Sequence, residues 1–287
     1  MKQLSQTHAE AQARRLADAA RNALIEEARL SPKPGLVDSR GNGAHRDLTL
    51  SLMERSAHSL APTFLRLAQH SWQRPVDVAL RETVGRLGRD GEQQMLAATG
   101  GVNTHRGAIW ALGLLVSASA MHGATAQAQQ VANSAAALAA LPDARAPKVF
   151  SNGLKASRRW QVPGAREEAQ AGFPHVMQLA LPQLRQSRAR GAAEEEARLD
   201  ALMAVMTSLS DTCVLSRAGM IGLKTMQRGA RAVLHAGGCA TAKGRDALAR
   251  LDAQMLALNA SPGGAADLLA AALFIDRVCQ PAHHRIF

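Results

Sequence analysis

The chain has 287 residues, 47% apolar and 20% charged, with no tyrosine and aromatics at 3%. That composition is globular, favours helix over strand and excludes a disordered chain. The formal net charge of +11 favours anionic partners, yet the basic residues form no long block and are not interleaved with aromatics, so much of the charge reads as solvated surface and not as a nucleic-acid interface.

The N-terminus is polar over residues 1–15 and lacks a secretory apolar segment. The longest apolar run, around residues 108–121, is expected to be too short to cross a bilayer. Cys213, Cys239 and Cys279 are widely spaced with no C-x-x-C pair, which fits a reducing compartment and small core fillers. The expectation is a soluble cytoplasmic protein without membrane contact.

Thr7-His8-Ala9-Glu10 is a capping-box pattern that predicts a helix to about residue 30, with Leu16, Ala20, Leu24 and Ala28 on its core face. Glu26 and Glu27 fall at its end, beside the negative pole of the helix dipole; they read as a surface pair or as functional acids. Ser31-Pro32-Lys33-Pro34-Gly35-Leu36-Val37-Asp38 cannot be helical, because two prolines remove amide donors and push their predecessors out of the α region. A rigid loop continues through Gly41-Asn42-Gly43-Ala44-His45-Arg46-Asp47. Asp47 reads as a cap for a helix from Leu48 or as a site acid, whereas Asp38 and His45 have no such structural duty.

That next helix contains Pro62, which predicts a kink or split, and should end near Trp72. Another is predicted from about Pro75 through Gly85, Gly88 and Gly91 to Ala98; its glycines imply close helix packing or breaks, and Glu92 follows them. Gly100-Gly101-Val102-Asn103-Thr104-His105-Arg106-Gly107 then precedes a buried helix. The glycines permit a sharp turn, and Asn103 or Thr104 can cap the helix. Its free amides beside Thr104, His105 and Arg106 make an anion site, most naturally for phosphate, the alternative being an ordinary capped helix.

An alanine-rich helix is predicted over 124–141, followed by a loop-like connection over 142–163. Gly164-Ala165-Arg166-Glu167-Glu168-Ala169 opens a helical piece interrupted at Gly172-Phe173-Pro174, and Glu194-Glu195-Glu196 starts a helix with a core stripe of Leu199, Leu202, Met203 and Met206. Asp211-Thr212-Cys213-Val214-Leu215-Ser216-Arg217 places an acid where a buried helix ends, as an ion pair with Arg217 or as a metal or substrate site. Ser261-Pro262-Gly263-Gly264-Ala265-Ala266-Asp267 reads as cap, first-turn proline and glycine-lined helix start, with Asp267 directed into an apolar segment. The tail from residue 280, with His283 and His284, reads as frayed. The fold expected is all-α, a single compact domain over 1–287 with ten to twelve helices and functional loops at helix ends.

The blocks Ser31 to Asp38, Gly43-Ala44-His45-Arg46-Asp47 and Gly101 to Gly107 resemble the triphosphoribosyl-dephospho-CoA synthase family. Gly164-Ala165-Arg166, Asp211-Thr212, Arg217 and Ser261-Pro262-Gly263-Gly264 with Asp267-Leu268-Leu269 follow in the family's order, so the resemblance covers nearly the whole chain. Glu167 and Cys213 depart from it, standing where the family often has glycine and asparagine. The resemblance implies a transferase that joins ATP, through its ribose, to 3'-dephospho-CoA and releases adenine. The product is the precursor of an acyl-carrier prosthetic group. Arg46 and Arg106 fit the malonate decarboxylase branch, since the citrate lyase branch usually has lysine there.

Such a reaction passes through an oxocarbenium-like transition state and calls for a base, a stabilising negative charge and a donor to the leaving adenine. For these roles the implied candidates are Glu27, Asp38, His45, Asp47 and Asp211. Mg²⁺ on the triphosphate would be held by two or three of Asp38, Asp47, Glu92, Asp211 and Asp267. Lys33, Asn103, Thr104, His105, Arg106, Gly107, Arg166, Arg217, Thr212 and Ser261 would bind substrate. The resemblance further implies contact with the prosthetic-group transferase or the acyl-carrier subunit, and leaves a homodimer open. A nucleotide or ADP-ribosyl N-glycoside hydrolase is the alternative enzyme, and a basic helical nucleic-acid binder the alternative from another class.

Overall fold

In the computed structural model, residues 2–146 and 151–279 are described. They form twelve α-helices, a 3₁₀ turn over Gly123–Thr125 and a π-turn over His175–Ala180, with no strand among them. The helices are α1 (Lys2–Arg29), α2 (Leu50–Ser71), α3 (Val78–Ala98), α4 (Arg106–His122), α5 (Ala128–Ala140), α6 (Asn152–Trp160), α7 (Ala165–Gln170), α8 (Leu181–Ala189), α9 (Glu194–Met206), α10 (Thr212–His235), α11 (Ala242–Ala257) and α12 (Gly263–Val278). The all-α expectation and the helix count both hold.

Two helices are apolar on nearly every face and form the centre. In α4 every residue from Ala108 to Ala120 except Trp110 is buried, and α12 buries Leu268 to Asp276 without a gap. A helix that is apolar all round has to be surrounded by others, and α1, α2 and α5 pack around α4 while α1, α4 and α9 pack around α12. Alanine at Ala108, Ala111, Ala118 and Ala120 on α4 and at Ala270, Ala271 and Ala272 on α12 lets these backbones approach closely. The apolar stretch of α4 together with its 3₁₀ turn reaches 20 residues, long enough by length and composition to cross a membrane and so longer than the run read from sequence, but most of it is buried inside the molecule as core.

Local signals set several element ends, with corrections: α1 runs from Lys2, so the Thr7 pattern lies inside it. Thr49, not Asp47, caps α2, its hydroxyl accepting from the Leu52 amide at 3.2 Å. The helix passes through Pro62 without splitting. Asp77 caps α3 through the Leu80 amide at 2.6 Å, which leaves Pro75 outside the helix. The α3 glycines do mark close packing: a Cβ at Gly91 would stand 2.7 Å from Thr63 Cγ2, and one at Gly85 would meet the Asp143 carboxylate.

The predicted loop after α5 contains α6, capped by Ser151 through the Leu154 amide at 3.2 Å. It escaped the sequence reading because its one fully buried residue is Ala156, so it carries no apolar stripe. Pro262, not Ser261, occupies the cap position of α12. Within α10 the backbone leaves helical geometry at Gly219, where φ is 60° and the Trp160 ring lies 3.5 Å from the position a Cβ would take. His283 and His284 lie outside the described residues.

Candidate active site

The extended loop between α1 and α2 is fixed by buried polar contacts. Lys33 is 1% exposed, and its ammonium donates to Glu27 Oε1 at 2.5 Å and to the Glu27 carbonyl at 2.5 Å. One side chain thus neutralises the α1 acid and satisfies a carbonyl of the last turn of α1. Asp38 is spent on the loop itself: Oδ2 accepts from the Lys33 amide and from Arg40 Nη2, each at 2.8 Å, and Oδ1 accepts from the Arg40 amide at 2.8 Å. Burial pushes the Asp38 carboxyl up, but Arg40 and these amides outweigh it and hold the group below its ordinary value. Asp252 on α11 ties the loop from outside, accepting from the Gly35 amide at 2.9 Å and from Arg40 Nη1 at 2.9 Å. Gly35 has φ +66°, and a Cβ there would stand 2.3 Å from the Ala260 carbonyl oxygen, so only glycine fits.

Beside this loop three helix N-termini converge. Asn103 Oδ1 accepts from the Arg106 amide at 3.2 Å and opens α4. The amides of α4 do not face an empty anion site as expected from sequence. The Asp267 carboxylate from α12 lies against them, hydrogen-bonded to the Ala108 amide and so close to Gly107 that a Cβ there would stand 2.0 Å from Asp267 Oδ2. The positive end of the α4 dipole is therefore occupied by a carboxylate of the chain itself.

Asp211 joins the other two N-termini. Its Oδ1 accepts from the Cys213 and Val214 amides of α10 at 2.9 and 3.2 Å, and its Oδ2 accepts from the Ala265 amide of α12 at 2.9 Å. It is the cap of α10 and supplies the anchor that the start of α12 lacks locally.

These groups carry perturbed protonation. Burial raises Asp267, and the charges of Glu27 and Asp211 raise it further, with only the Ala108 amide opposing. Burial likewise raises Asp211 against four backbone amides. His105 is 2% exposed; burial and then the Lys33 charge push its imidazole down to about 3. Its Nδ1 is 2.7 Å from Ser56 Oγ, and its buried Nε2 has no partner. Ser56 Oγ also meets Thr104 Oγ1 at 2.6 Å.

On the outer side, His45 Nδ1 is 3.1 Å from Arg217 Nη2 and its Nε2 is 2.8 Å from Ser261 Oγ. Because a guanidinium only donates, Nδ1 accepts and Nε2 donates to the serine. Burial and then Arg217 push His45 down to about 4. Arg217 crosses from α10 to the loop, donating to the Ala44 carbonyl at 2.8 Å.

Of the residues singled out in the sequence, Glu27, Lys33, His105, Gly107 and Asp267 form the buried cluster, while His45, Arg217 and Ser261 form an adjoining polar group and Asp211 lies at the junction of α10 and α12. Thr212 is the first residue of α10, where the position of a Gly153 Cβ on α6 is 3.2 Å from its Oγ1. Asp47 is largely exposed, 3.8 Å from His45. Glu92 on α3 accepts from Arg106 Nε at 2.5 Å, so each carries the other's charge. Arg166 is exposed on α7 and acts on the charge of Arg81, whose guanidinium sits over Trp110.

Among the described residues no group of three or more His, Cys, Asp or Glu side chains is arranged to hold a metal ion. Sequence reasoning missed Arg40, Asp252 and Ser56. The Asp-x-Arg spacing of a local turn was the available signal for Arg40, whereas Gly35 and Asp252 are 217 residues apart and gave none.

The family model for ATP:dephospho-CoA triphosphoribosyl transferase matches residues 13–286. A Klebsiella pneumoniae protein named 2-(5''-triphosphoribosyl)-3'-dephosphocoenzyme-A synthase is 74% identical over 278 residues, which is 97% of this chain and 99% of that one. Proteins named probable 2-(5''-triphosphoribosyl)-3'-dephosphocoenzyme-A synthase are 61% identical over 93% of the chain in Pseudomonas fluorescens (92% of the relative) and 61% identical over 94% in Stutzerimonas stutzeri (93% of the relative). No solved structure matches the chain.

Proposed function

The chain belongs to the ATP:dephospho-CoA triphosphoribosyl transferase family and is an enzyme of that kind, and from this we propose that it transfers the triphosphoribosyl group of ATP to a ribose hydroxyl of 3'-dephospho-CoA and releases adenine. The observation that carries the reading is the 74% identity to the Klebsiella synthase along 97% of the chain. The buried cluster of Glu27, Lys33, His105 and Asp267 supports it, because it supplies what substitution at an anomeric carbon requires.

In the reaction, the C1'–N9 bond of ATP breaks, a C1'–O bond to dephospho-CoA forms, and the hydroxyl proton leaves while adenine gains one. Asp267 is placed to accept the hydroxyl proton, since a carboxyl raised by burial and by two neighbouring acids takes up a proton readily. Glu27, held in one orientation by Lys33, presents negative charge to the oxocarbenium-like centre. The neutral imidazole of His105, with its Nε2 uncommitted, is the group available to the departing base. Arg217 and Arg46 meet the phosphates at the outer edge. Asp38 and Asp211 act as positioning residues, because their oxygens are committed to backbone amides.

The residues fit a divalent ion that arrives with the nucleotide and not one held in a cage of the protein's own. Mg²⁺ needs only one or two carboxylates when phosphates and water complete its shell. Asp47, exposed beside His45, is the acid with lone pairs to offer, and the ion would neutralise the triphosphate.

We place the enzyme in the cytoplasm, making the precursor for the acyl-carrier subunit of malonate decarboxylase and passing it to the prosthetic-group transferase. The arginines at positions 46 and 106 favour this branch. The test is to mix the pure protein with ATP, Mg²⁺ and dephospho-CoA, and to measure free adenine and a mass-shifted CoA adduct. Both are expected. Adenine without adduct would make the protein a hydrolase, and no adenine would overturn the proposal. The branch is tested by removing the protein from its host and assaying loading of the malonate decarboxylase acyl carrier, which should cease.

A further inference from the structure

At Gly219 α10 is bent sharply, with φ 60° and ψ −158°, a region that glycine alone populates readily. The bend can be measured at Gly222. A Cβ there would stand 2.4 Å from Ala218 Cβ, whereas residues four apart on a straight helix keep their Cβ atoms about 5–6 Å apart. It would also stand 3.2 Å from Val214 Cγ1, although eight residues of straight helix span about 12 Å. The two arms therefore close on the side of Ala218 and Gly222, and only glycine fits in that corner. Trp160 covers Gly219 itself, its Cζ2 lying 3.5 Å from the position of a Cβ.

The short arm, residues 212–218, is the one that reaches the site. Asp211 caps it through the Cys213 and Val214 amides, and Arg217 projects from its last turn. Beyond the bend Ile221, Lys224, Arg228 and Arg231 are exposed. They follow Arg217 at steps of four and three residues, so an unbroken helix would hold Arg217 on that same solvent-facing stripe. The bend releases it from the stripe. Arg217 Nη1 donates to the Ala44 carbonyl at 2.8 Å and lies 3.3 Å from both the carbonyl and the Oδ1 of Asn259, while Nη2 is 3.1 Å from His45 Nδ1.

The corner is braced against the same loops. A Gly222 Cβ would be 3.8 Å from Ala260 Cβ, and the Ala260 carbonyl is the group that requires glycine at position 35. The bend, the Asn259-Ala260 turn and the loop from Gly35 to Ala44 thus pack in succession, and Arg217 ties the first to the other two. None of its partners is an acid, so the guanidinium is oriented with its charge uncancelled.

We propose that Gly219 and Gly222 are positioning residues for phosphate binding, forming an elbow that sets the Arg217 guanidinium at the rim of the site before the triphosphate arrives. A donor fixed in advance loses less entropy on binding than one that must be ordered by the ligand. The inference rests on the reading of Arg217 as a phosphate-binding group.

The experiment is isothermal titration of the full chain with inorganic tripolyphosphate, using the wild type, R217Q, G219A and the double variant G219A/R217Q, with adenine release measured in parallel. R217Q should bind about tenfold or more weakly than the wild type, as expected for one lost charge-assisted hydrogen bond. G219A should lose as much. The double variant should bind no worse than R217Q, because the glycine acts only through the arginine. In the transferase assay G219A should raise KM for ATP and leave kcat nearly unchanged. If G219A does not fold, W160A, which uncovers the elbow and keeps both glycines, takes its place; it should weaken binding in the wild-type background and not in R217Q. Wild-type affinity in G219A, or a double variant whose loss is the product of the single losses, overturns the elbow's role and leaves Arg217 as a phosphate-binding group. Wild-type affinity in R217Q, or no binding by the wild type, overturns the reading of Arg217 and the inference with it. The expected binding pattern without adenine release would uphold the elbow and remove the transferase reading.

Discussion

Replacing Lys33 by methionine should cost the protein more stability than almost any other single change, and replacing Glu27 as well should restore most of it. The two side chains are 1% and 4% exposed, and the ammonium lies 2.5 Å from the carboxylate. Removing the cation leaves the buried Glu27 carboxylate without its counter-ion, and breaking such a pair costs about 3–5 kcal/mol. The Glu27 carbonyl loses one of its two donors in the same step and keeps the Leu30 amide, adding less than about 1 kcal/mol. With an unfolding entropy of about 2.1 cal/mol/K per residue over 287 residues, 4 kcal/mol corresponds to a fall in Tm of about 7 °C. The double variant K33M/E27M removes both charges and refills the space with apolar atoms, so it should recover to within about 1–2 kcal/mol of the wild type. It should remain inactive, since on the proposed mechanism Glu27 faces the reacting centre. Urea unfolding of the two single variants and the double variant completes the cycle. A K33M loss under about 1 kcal/mol, or a double variant as unstable as the sum of the singles, would refute the reasoning.

Three further outcomes follow from the same geometry. D267N should lower kcat about 10²–10⁴-fold with little change in KM, and G107A should do the same by displacing the carboxylate, since its methyl would stand 2.0 Å from Asp267 Oδ2; steady-state kinetics of both variants check this, and a fully active G107A would contradict the placement of Asp267. His105 and His45 are held neutral down to about 3 and 4, so below the ordinary histidine value near 6.5 the unfolded chain binds protons that the folded chain refuses. Stability should therefore fall as pH drops from about 6.5 toward 4, by about 1.4 kcal/mol per pH unit for each histidine. Urea unfolding at pH 7 and pH 5 measures the slope, which should lose one proton's worth in H105Q. G35A should destabilise by about 1–3 kcal/mol, because a methyl at φ +66° would stand 2.3 Å from the Ala260 oxygen; a thermal melt indistinguishable from wild type would count against the tight loop.

The apolar centre was legible because it is a local property. The run that became α4 and the stripe of Leu199, Leu202, Met203 and Met206 on α9 can be read within one window of sequence, and burial then follows from their composition. The loop over Ser31 to Asp47 was legible for the same reason, since proline and glycine forbid helix there whatever surrounds them. What the sequence did not carry were the long-range pairings that decide each acid's duty. Asp211 reads as an ion-pair partner of Arg217 or as a metal or substrate site, but α12, whose cap residue Pro262 makes no side-chain cap bond, takes Asp211 from 54 residues away. Asp38 and Asp47 stand nine residues apart in one loop, and Asp38 is the one for which no structural duty is read; yet Arg40 and two amides bind it, and Asp47 stays in solvent.

The start of α4 shows how a correct physical rule can point at the wrong partner. Free amides and the dipole at Arg106, Gly107 and Ala108 do attract an anion, as the glycine-rich approach indicates. Phosphate and carboxylate satisfy that field equally well, and a window of eight residues holds no information about an acid 160 positions downstream. Glycine at position 107 removes the Cβ that would keep Asp267 out, and so makes room for a side chain at the helix start. One consequence reaches the chemistry. With its helix terminus already neutralised, the site has to take its phosphate-binding charge from side chains at the rim. Arg217 meets that requirement, because its partners are carbonyl oxygens, the Asn259 amide and a neutral imidazole, none of which cancels its charge.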